Sequence, residues 1–330
     1  MKGARNRKRS ADRVVWVVLL VLFSTLFVVS ASVLVYQGAQ QVQSDIDRDH
    51  AMNVAGLPDP NDFLVLPADT SQNGGNGNAG DGNGQSGDGN ENVPGAVDNV
   101  NRPTPPLSSG SDYDPSSGSA VPGPYAEAIR GSISIKNLKS YNSDVIGWIY
   151  IGGSRSGTVN VSEPIIYYKD NDYYLRRTWL KNKANDGCIF MEHMCEPDFS
   201  GFNTIIYGHR LRSEKMFGKL GDFAKKANWE KDPFIYIYTE DRMLMYKIYS
   251  VYRVPVSGMT YQVGFGGDSS KQEFINYTLK QAMYDTSTIP TVNDRILTLS
   301  TCTGDTGNDK YAERFIVQAM LVSETVREDK

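Results

Sequence analysis

Residues 14–36 read VVWVVLLVLFSTLFVVSASVLVY, an uninterrupted apolar run without a charge. As a helix rising 1.5 Å per residue it spans about 35 Å, enough to cross a hydrocarbon core of about 30 Å. Ser24, Thr25, Ser30 and Ser32 can return their hydroxyls to the helix backbone, and Trp16 and Tyr36 fall where amphipathic rings favour the interface. Lys2, Arg5, Arg7, Lys8, Arg9 and Arg13 all precede the run. The positive-inside rule therefore predicts a cytoplasmic basic tail (1–13), a transmembrane anchor (14–36) and an extracellular remainder. The rival is a cleaved signal peptide with Ser-Ala-Ser at 30–32, but its apolar region would usually be only 7–15 residues long.

After the run the pattern changes twice. Residues 37–67 are mixed, have room for a short helix and read as a membrane-proximal stalk. Residues 68–123 are Asn/Gly/Asp/Ser-rich and then Pro/Ser-rich. Such a stretch can bury little to offset its ordering entropy, so it is predicted to be a disordered linker, a spacer holding a globular head off the membrane. From 124 to 330 the chain has the make-up of one folded domain. A helical entry is predicted over 125–141. Short Val/Ile/Tyr/Thr-rich runs follow at 147–151, 164–168, 187–191, 203–207, 234–238, 243–254, 295–302 and 314–323. Helices are predicted at 213–227 and from Ser270, where Ser270 and Glu273 have capping-box spacing. About eight short strands with few helices give a mainly β fold with peripheral helices, a barrel or sandwich.

Composition narrows the function. The net charge is −4, and beyond the basic tail the balance is 28 basic to 37 acidic residues, or −9. Outside that tail no Lys/Arg run suggests a phosphate-binding surface, which argues against nucleic acid as a partner. Three Cys in 330 residues do not make a disulfide scaffold. Cys188, His193 and Cys195 could form a zinc site of unusual spacing, a disulfide outside the cell, or free packed thiols.

Two strand ends carry more promising chemistry. His209 follows the run 203–207, and Cys302 ends the run 295–302. Alternation puts Thr298, Ser300 and Cys302 on one face, with Leu297, Leu299 and Thr301 on the other. On the following run Arg314, Ile316, Gln318 and Met320 lie opposite Phe315, Val317, Ala319 and Leu321. If the two runs pair, a thiol and a guanidinium meet at the lips of one loop. A thiolate is nucleophilic and nearby positive charge favours it, a His can protonate a leaving amine, and Arg donors suit an oxyanion. The plainer reading makes Cys302 a buried small hydrophobe and Arg314 a solvated charge.

Thr-Leu-Ser-Thr-Cys (298–302), Tyr-Gly-His (207–209) upstream and Arg314 twelve positions after the Cys together resemble the signature of the sortases. The segments 142–149, 169–175 and 203–220 resemble class B sortases in particular, and the likeness covers about 125–325. It implies a sortase-type eight-stranded β-barrel with an N-terminal helix, an extra helix before the Cys strand (near 270–284) and one preceding transmembrane helix. It implies a cysteine transpeptidase acting on C-terminal sorting signals without a cofactor or metal. By the same resemblance, Cys302 attacks the carbonyl after the signal's Thr to form a thioacyl enzyme, His209 serves as general acid and base, and Arg314 holds the carbonyl or oxyanion. Asn171, Leu175, Tyr207 and Ser300 match substrate-groove positions. The acceptor would be an amine on a peptidoglycan precursor or a pilin Lys. Arg210-Leu211 after the His, and the long linker, depart from the family's common pattern.

Two alternatives stay open on sequence alone. One is an extracellular cysteine peptidase that releases the same thioester to water. The other is a non-catalytic surface binding module on a tether.

Overall fold

The computed structural model describes residues 2–58, 122–152, 159–211, 213–302 and 313–329, with side chains of the first helix from Trp16 onward. Most of the linker expected at 68–123 and the loop after Cys302 lie outside the described residues.

The apolar run belongs to helix α1 (Lys2–Ala55), a single helix of 54 residues. Its residues from Trp16 to Tyr36 expose their apolar side chains, as a lipid-facing segment does, and the helix is long and apolar enough to cross a membrane. Thr25 and Ser32 donate their hydroxyls to the carbonyls of Leu22 and Val28, at 2.9 and 2.8 Å. The segment after Tyr36 corrects the expectation of a stalk with a short helix. It continues α1 without a break and docks on the folded head, burying Ser44, Asp47, Arg48, Ala51 and Ala55. Ala51 and Ala55 are one turn apart and small, which lets the backbones approach; the Ala55 carbonyl accepts from Ser134 N at 2.8 Å.

The helical entry is two helices, α2 (Pro124–Ser132) and α3 (Ile135–Tyr141). Ile133 turns extended between them, and Ser134 restarts the helix by accepting from Asn137 N at 3.2 Å. Tyr125 Oη donates to the Pro58 carbonyl at 3.1 Å, so the chain enters and leaves residues 59–121 at one place on the head. Among the described residues the apolar helix meets the head through α1 itself, and the spacer expected at 68–123 lies almost wholly outside them.

The strands are β1 (Val145–Ile151), β2 (Val161–Ile166), β3 (Phe190–Met191), β4 (Asn203–Tyr207), β5 (Phe234–Tyr238), β6 (Arg242–Val254), β7 (Ile296–Cys302) and β8 (Arg314–Val326). They close a barrel in the order β1-β2-β3-β4-β7-β8-β6-β5, with parallel pairs at β2–β3 and β4–β7. Closure leaves no free edge. The barrel interior is filled by residues such as Ile149, Ile206, Phe217, Leu297, Leu299 and Val317, while α1, α2 and α3 cover a second cluster that includes Trp148, Tyr236 and Tyr238.

The two predicted helices fare differently. Over 213–227 there is no continuous helix. Glu214 and Met216 take positive φ (65° and 51°), which an α-helix excludes, and only a 3₁₀ turn (Leu220–Ala224) and α4 (Lys226–Trp229) follow. The second helix, α5 (Asp268–Gln281), starts two residues before Ser270 and ends before Tyr284. Gly267 (φ 143°) supplies its N-cap, and Ser270 bonds back to the Gly267 carbonyl instead of forming a capping box. Beneath α5 the polar face of β7 and β8 is buried and paired. Thr298 Oγ1 donates to Asn203 Oδ1 (2.6 Å), Gln318 Nε2 donates to Thr298 Oγ1 (3.0 Å), and Tyr249 Oη donates to Gln318 Oε1 (2.9 Å).

Candidate active site

β7 and β8 pair antiparallel, and their register sets Cys302 opposite Arg314 at the open end of the ladder. Beside β7, parallel β4 sets Tyr207 against Ser300, and Gly208 N continues the ladder to the Ser300 carbonyl at 3.2 Å. His209 follows at once. A cavity of about 450 Å³ opens here, lined by Asn171, Leu175, Phe190, Tyr207, Gly208, His209, Val256, Tyr261, Ser300 and Arg314. Six of the seven residues singled out in the sequence thus meet in one cavity. The seventh, Cys302, is fixed by its backbone pairing with Arg314.

Each wall has a physical cause. His209 Nε2 lies 2.9 Å from the Leu175 carbonyl. A carbonyl only accepts, so Nε2 carries the proton and Nδ1 is the nitrogen free to gain or lose one. Leu175 lies within a short 3₁₀ turn (Tyr173–Arg176), and ahead of it Asp170 Oδ1 accepts from Asp172 N and Tyr173 N. Behind the opposite wall sits the buried carboxylate of Glu192. It accepts from Tyr207 Oη (2.8 Å) and Asn171 Nδ2 (2.7 Å), while Asn171 Oδ1 accepts from His193 N (3.0 Å). Burial, then the Glu192 charge, push the Tyr207 phenol well above its ordinary range, so it remains a neutral donor. Tyr207 stacks on Tyr261 (centroids 6.3 Å apart), and Tyr261 Oη and Ser300 Oγ share a hydrogen bond of 3.0 Å.

Phe190, Tyr261, Val256 and Glu192 were not anticipated. The Phe190 run was read as a strand, but the strand is two residues long and its pairing with Tyr207 depends on tertiary contact. Tyr261 and Val256 lie in an irregular connection that carries no periodic signal. Cys188 and Cys195 are free, buried, and belong to separate clusters, Cys188 under the helices and Cys195 inside the barrel. Burial pushes the Cys188 thiol up and takes that of Cys195 to about 11, so neither is disposed to nucleophilic chemistry. His193 turns its Nδ1 to Glu192 (2.7 Å), away from any shared ligand set with them. Among the described residues there is no cluster of metal-ligating side chains.

Comparison with known proteins agrees with this geometry. Residues 160–322 match the Sortase domain family. Sortase B of Listeria monocytogenes is 30% identical over 192 residues, 57% of this chain and 74% of that protein. Sortase B of Staphylococcus aureus is 28% identical over 190 residues, with the same coverage. Among solved structures, a Staphylococcus aureus sortase B–substrate complex superposes with a TM-score of 0.51 at 27% identity, covering 57% of this chain and 84% of that one. Sortase B of Clostridium perfringens gives 0.51 at 26% identity, covering 57% and 99%. A closed barrel with a strand-end His and Cys, joined to this degree of likeness, defines a cysteine transpeptidase fold. The chain belongs to the sortase family, and its relatives are the class B sortases.

Proposed function

We propose that the chain is a membrane-anchored class B sortase that cleaves a C-terminal sorting signal after its Thr and passes the acyl group to an amine. The observation that carries this is the register of β4, β7 and β8. Tyr207 pairs with Ser300, His209 and Cys302 each follow two residues later along the chain, and Cys302 pairs with Arg314, which supports their convergence. In this reading the Cys302 thiolate attacks the carbonyl carbon of the scissile bond, and the Arg314 guanidinium donates to the oxyanion. The C–N bond breaks as the His209 imidazolium gives its Nδ1 proton to the leaving amine. An incoming amine then attacks the thioester, loses a proton to the same nitrogen and expels the thiolate, so the enzyme is restored without a cofactor. Asn171, Leu175, Tyr207 and Ser300 line the groove that holds the signal. The acceptor is an amine of a cell-wall precursor or a pilin Lys. The basic residues before the apolar run argue for a cytoplasmic N-terminus and an extracellular head.

The test is mass spectrometry of a sorting-signal peptide incubated with the full chain and an amine acceptor. Wild type should give the peptide–amine conjugate, and Cys302→Ala and His209→Ala should lower the rate by at least about a thousandfold. A product carrying only water would indicate a peptidase. An alanine variant at 302 with unaltered turnover would overturn the thioacyl route.

A further inference from the structure

The segment bearing Leu175 is gripped at its other end by α1. Asp47, 2% exposed, is the centre of that grip. Its Oδ2 accepts from the Thr178 hydroxyl and from Asn182 Nδ2 (2.9 Å), and its Oδ1 accepts from Gln43 Nε2 (2.8 Å). Its main-chain carbonyl accepts from Trp179 Nε1 at 2.5 Å, and the Trp179 ring stacks on His50 at 5.7 Å. Thr178, Trp179 and Asn182 belong to one small hairpin, closed by Thr178 N on the Asn182 carbonyl (2.9 Å) and by the Arg177–Lys183 bridge. Leu175 is three residues away along the chain, within about 10 Å even fully extended. Between the two points the backbone is pinned, with Ala184 N on the Arg176 carbonyl (3.1 Å) and Cys188 N on the Tyr174 carbonyl (3.3 Å). Gly187 (φ 60°) packs directly behind: a Cβ there would come within 2.6 Å of Leu175 O.

We propose that Asp47 is a positioning residue for His209. By fixing the 178–182 hairpin to α1, it sets the Leu175 carbonyl that accepts from Nε2 and so keeps Nδ1 as the nitrogen that exchanges protons. The extramembrane end of the anchor helix is thereby part of what orders the active-site wall. Arg48, the next residue, grips a different element: its Nε donates to Glu163 Oε1 on β2 at 2.6 Å. That contrast supplies a control, because loosening Arg48 weakens the same helix without touching the hairpin. The proposal rests on the proton-transfer role assigned to His209 above.

The experiment compares full-length wild type, Asp47→Ala, Asp47→Asn and Arg48→Met, with rates expressed per folded molecule. Asp47→Ala should lower kcat about tenfold to a hundredfold, the scale expected for misplacing a catalytic group by an ångström or less, with KM within about twofold. Asp47→Asn, which keeps the shape and one acceptor oxygen, should fall between it and wild type. Arg48→Met should lower the Tm and leave kcat within about threefold. At a pH high enough to keep the ring neutral, the ¹⁵N shifts of His209 should report a single Nε2–H tautomer in wild type and a mixture in Asp47→Ala. Equal kcat losses in Asp47→Ala and Arg48→Met, or unchanged His209 shifts in Asp47→Ala, would overturn the proposal. Should the alanine variant not fold, Asp47→Asn decides alone, and wild-type kcat with wild-type shifts would overturn it. Because the ¹⁵N readout needs no substrate, a variant-dependent tautomer in a chain that transfers no peptide would sink the transpeptidase reading and leave the positioning role standing.

Discussion

Gly208 shows how tightly single residues are specified around the cavity. A methyl group at its Cα would stand 2.6 Å from Cδ2 of Phe217, a ring with no exposed surface in the barrel interior. Neither the ring nor the strand end has room to give, so Gly208→Ala forces β4 and the adjoining His209 outward. Overpacking of this kind costs about 1–3 kcal/mol, and the expected result is a lower Tm together with a larger loss of peptide transfer than of stability. Thermal unfolding and turnover measured on the same preparation check it. Transfer lost only in step with the folded fraction would count against the local displacement. The sequence offered Tyr-Gly-His as a motif, but nothing in it named Phe217 as the reason that only glycine fits.

At the level of elements, what was legible followed from strand alternation. β4 (Asn203–Tyr207) and β5 (Phe234–Tyr238) occupy the spans that pattern alone marked out, and the pairing of β7 with β8 brings Cys302 and Arg314 together as alternation required. What was not legible depends on contacts distant in sequence. The irregular stretch after residue 213 has helical composition but is bent by two residues of positive φ, and the early start of α5 is set by Gly267. The polar face of β7 was only partly legible. Alternation separates it from the apolar face, but that Thr298 and Gln318 are wholly buried under α5, and satisfied by each other and by Asn203, depends on tertiary contacts. The contact between α1 and β2 carries a pH signature. Burial raises the Glu163 carboxyl above the ordinary carboxylate range, and Arg48 pulls it back without cancelling that effect. The folded state then binds this proton more tightly than the unfolded state. Its contribution to stability is fully present below the unfolded value and is lost as pH rises through the folded one. Glu163→Gln should therefore flatten the decline of Tm as the pH rises above the ordinary Glu value of about 4.3. Parallel Tm–pH curves for the two proteins would refute the assignment.

For the molecule as a whole, the Tyr125 hydroxyl on the Pro58 carbonyl brings together the described chain on either side of residues 59–121. Replacing them with a connector of about six Gly and Ser residues should leave the Tm within about 2 °C and peptide transfer within about twofold. Circular dichroism melts and the conjugate assay measure both. A collapse of either would show that the segment contributes to the head. Composition reads this stretch as unable to build a core; that Pro58 and Tyr125 meet could be learned only from the fold.

The same docking fixes an altitude. With residues 14–36 in the bilayer, Gln40, which already lines a cavity beside Arg176 and Lys183, stands about 6 Å past Tyr36, and Asp45, bound to Lys215, about 14 Å past it. On the membrane-anchored reading proposed above, the barrel would then perch at the level of the lipid headgroups, like a lamp on a short post. On that same reading, polypeptides still threaded through the membrane by their own tails would pass within its reach, and an otherwise identical peptide free in solution should be the poorer substrate.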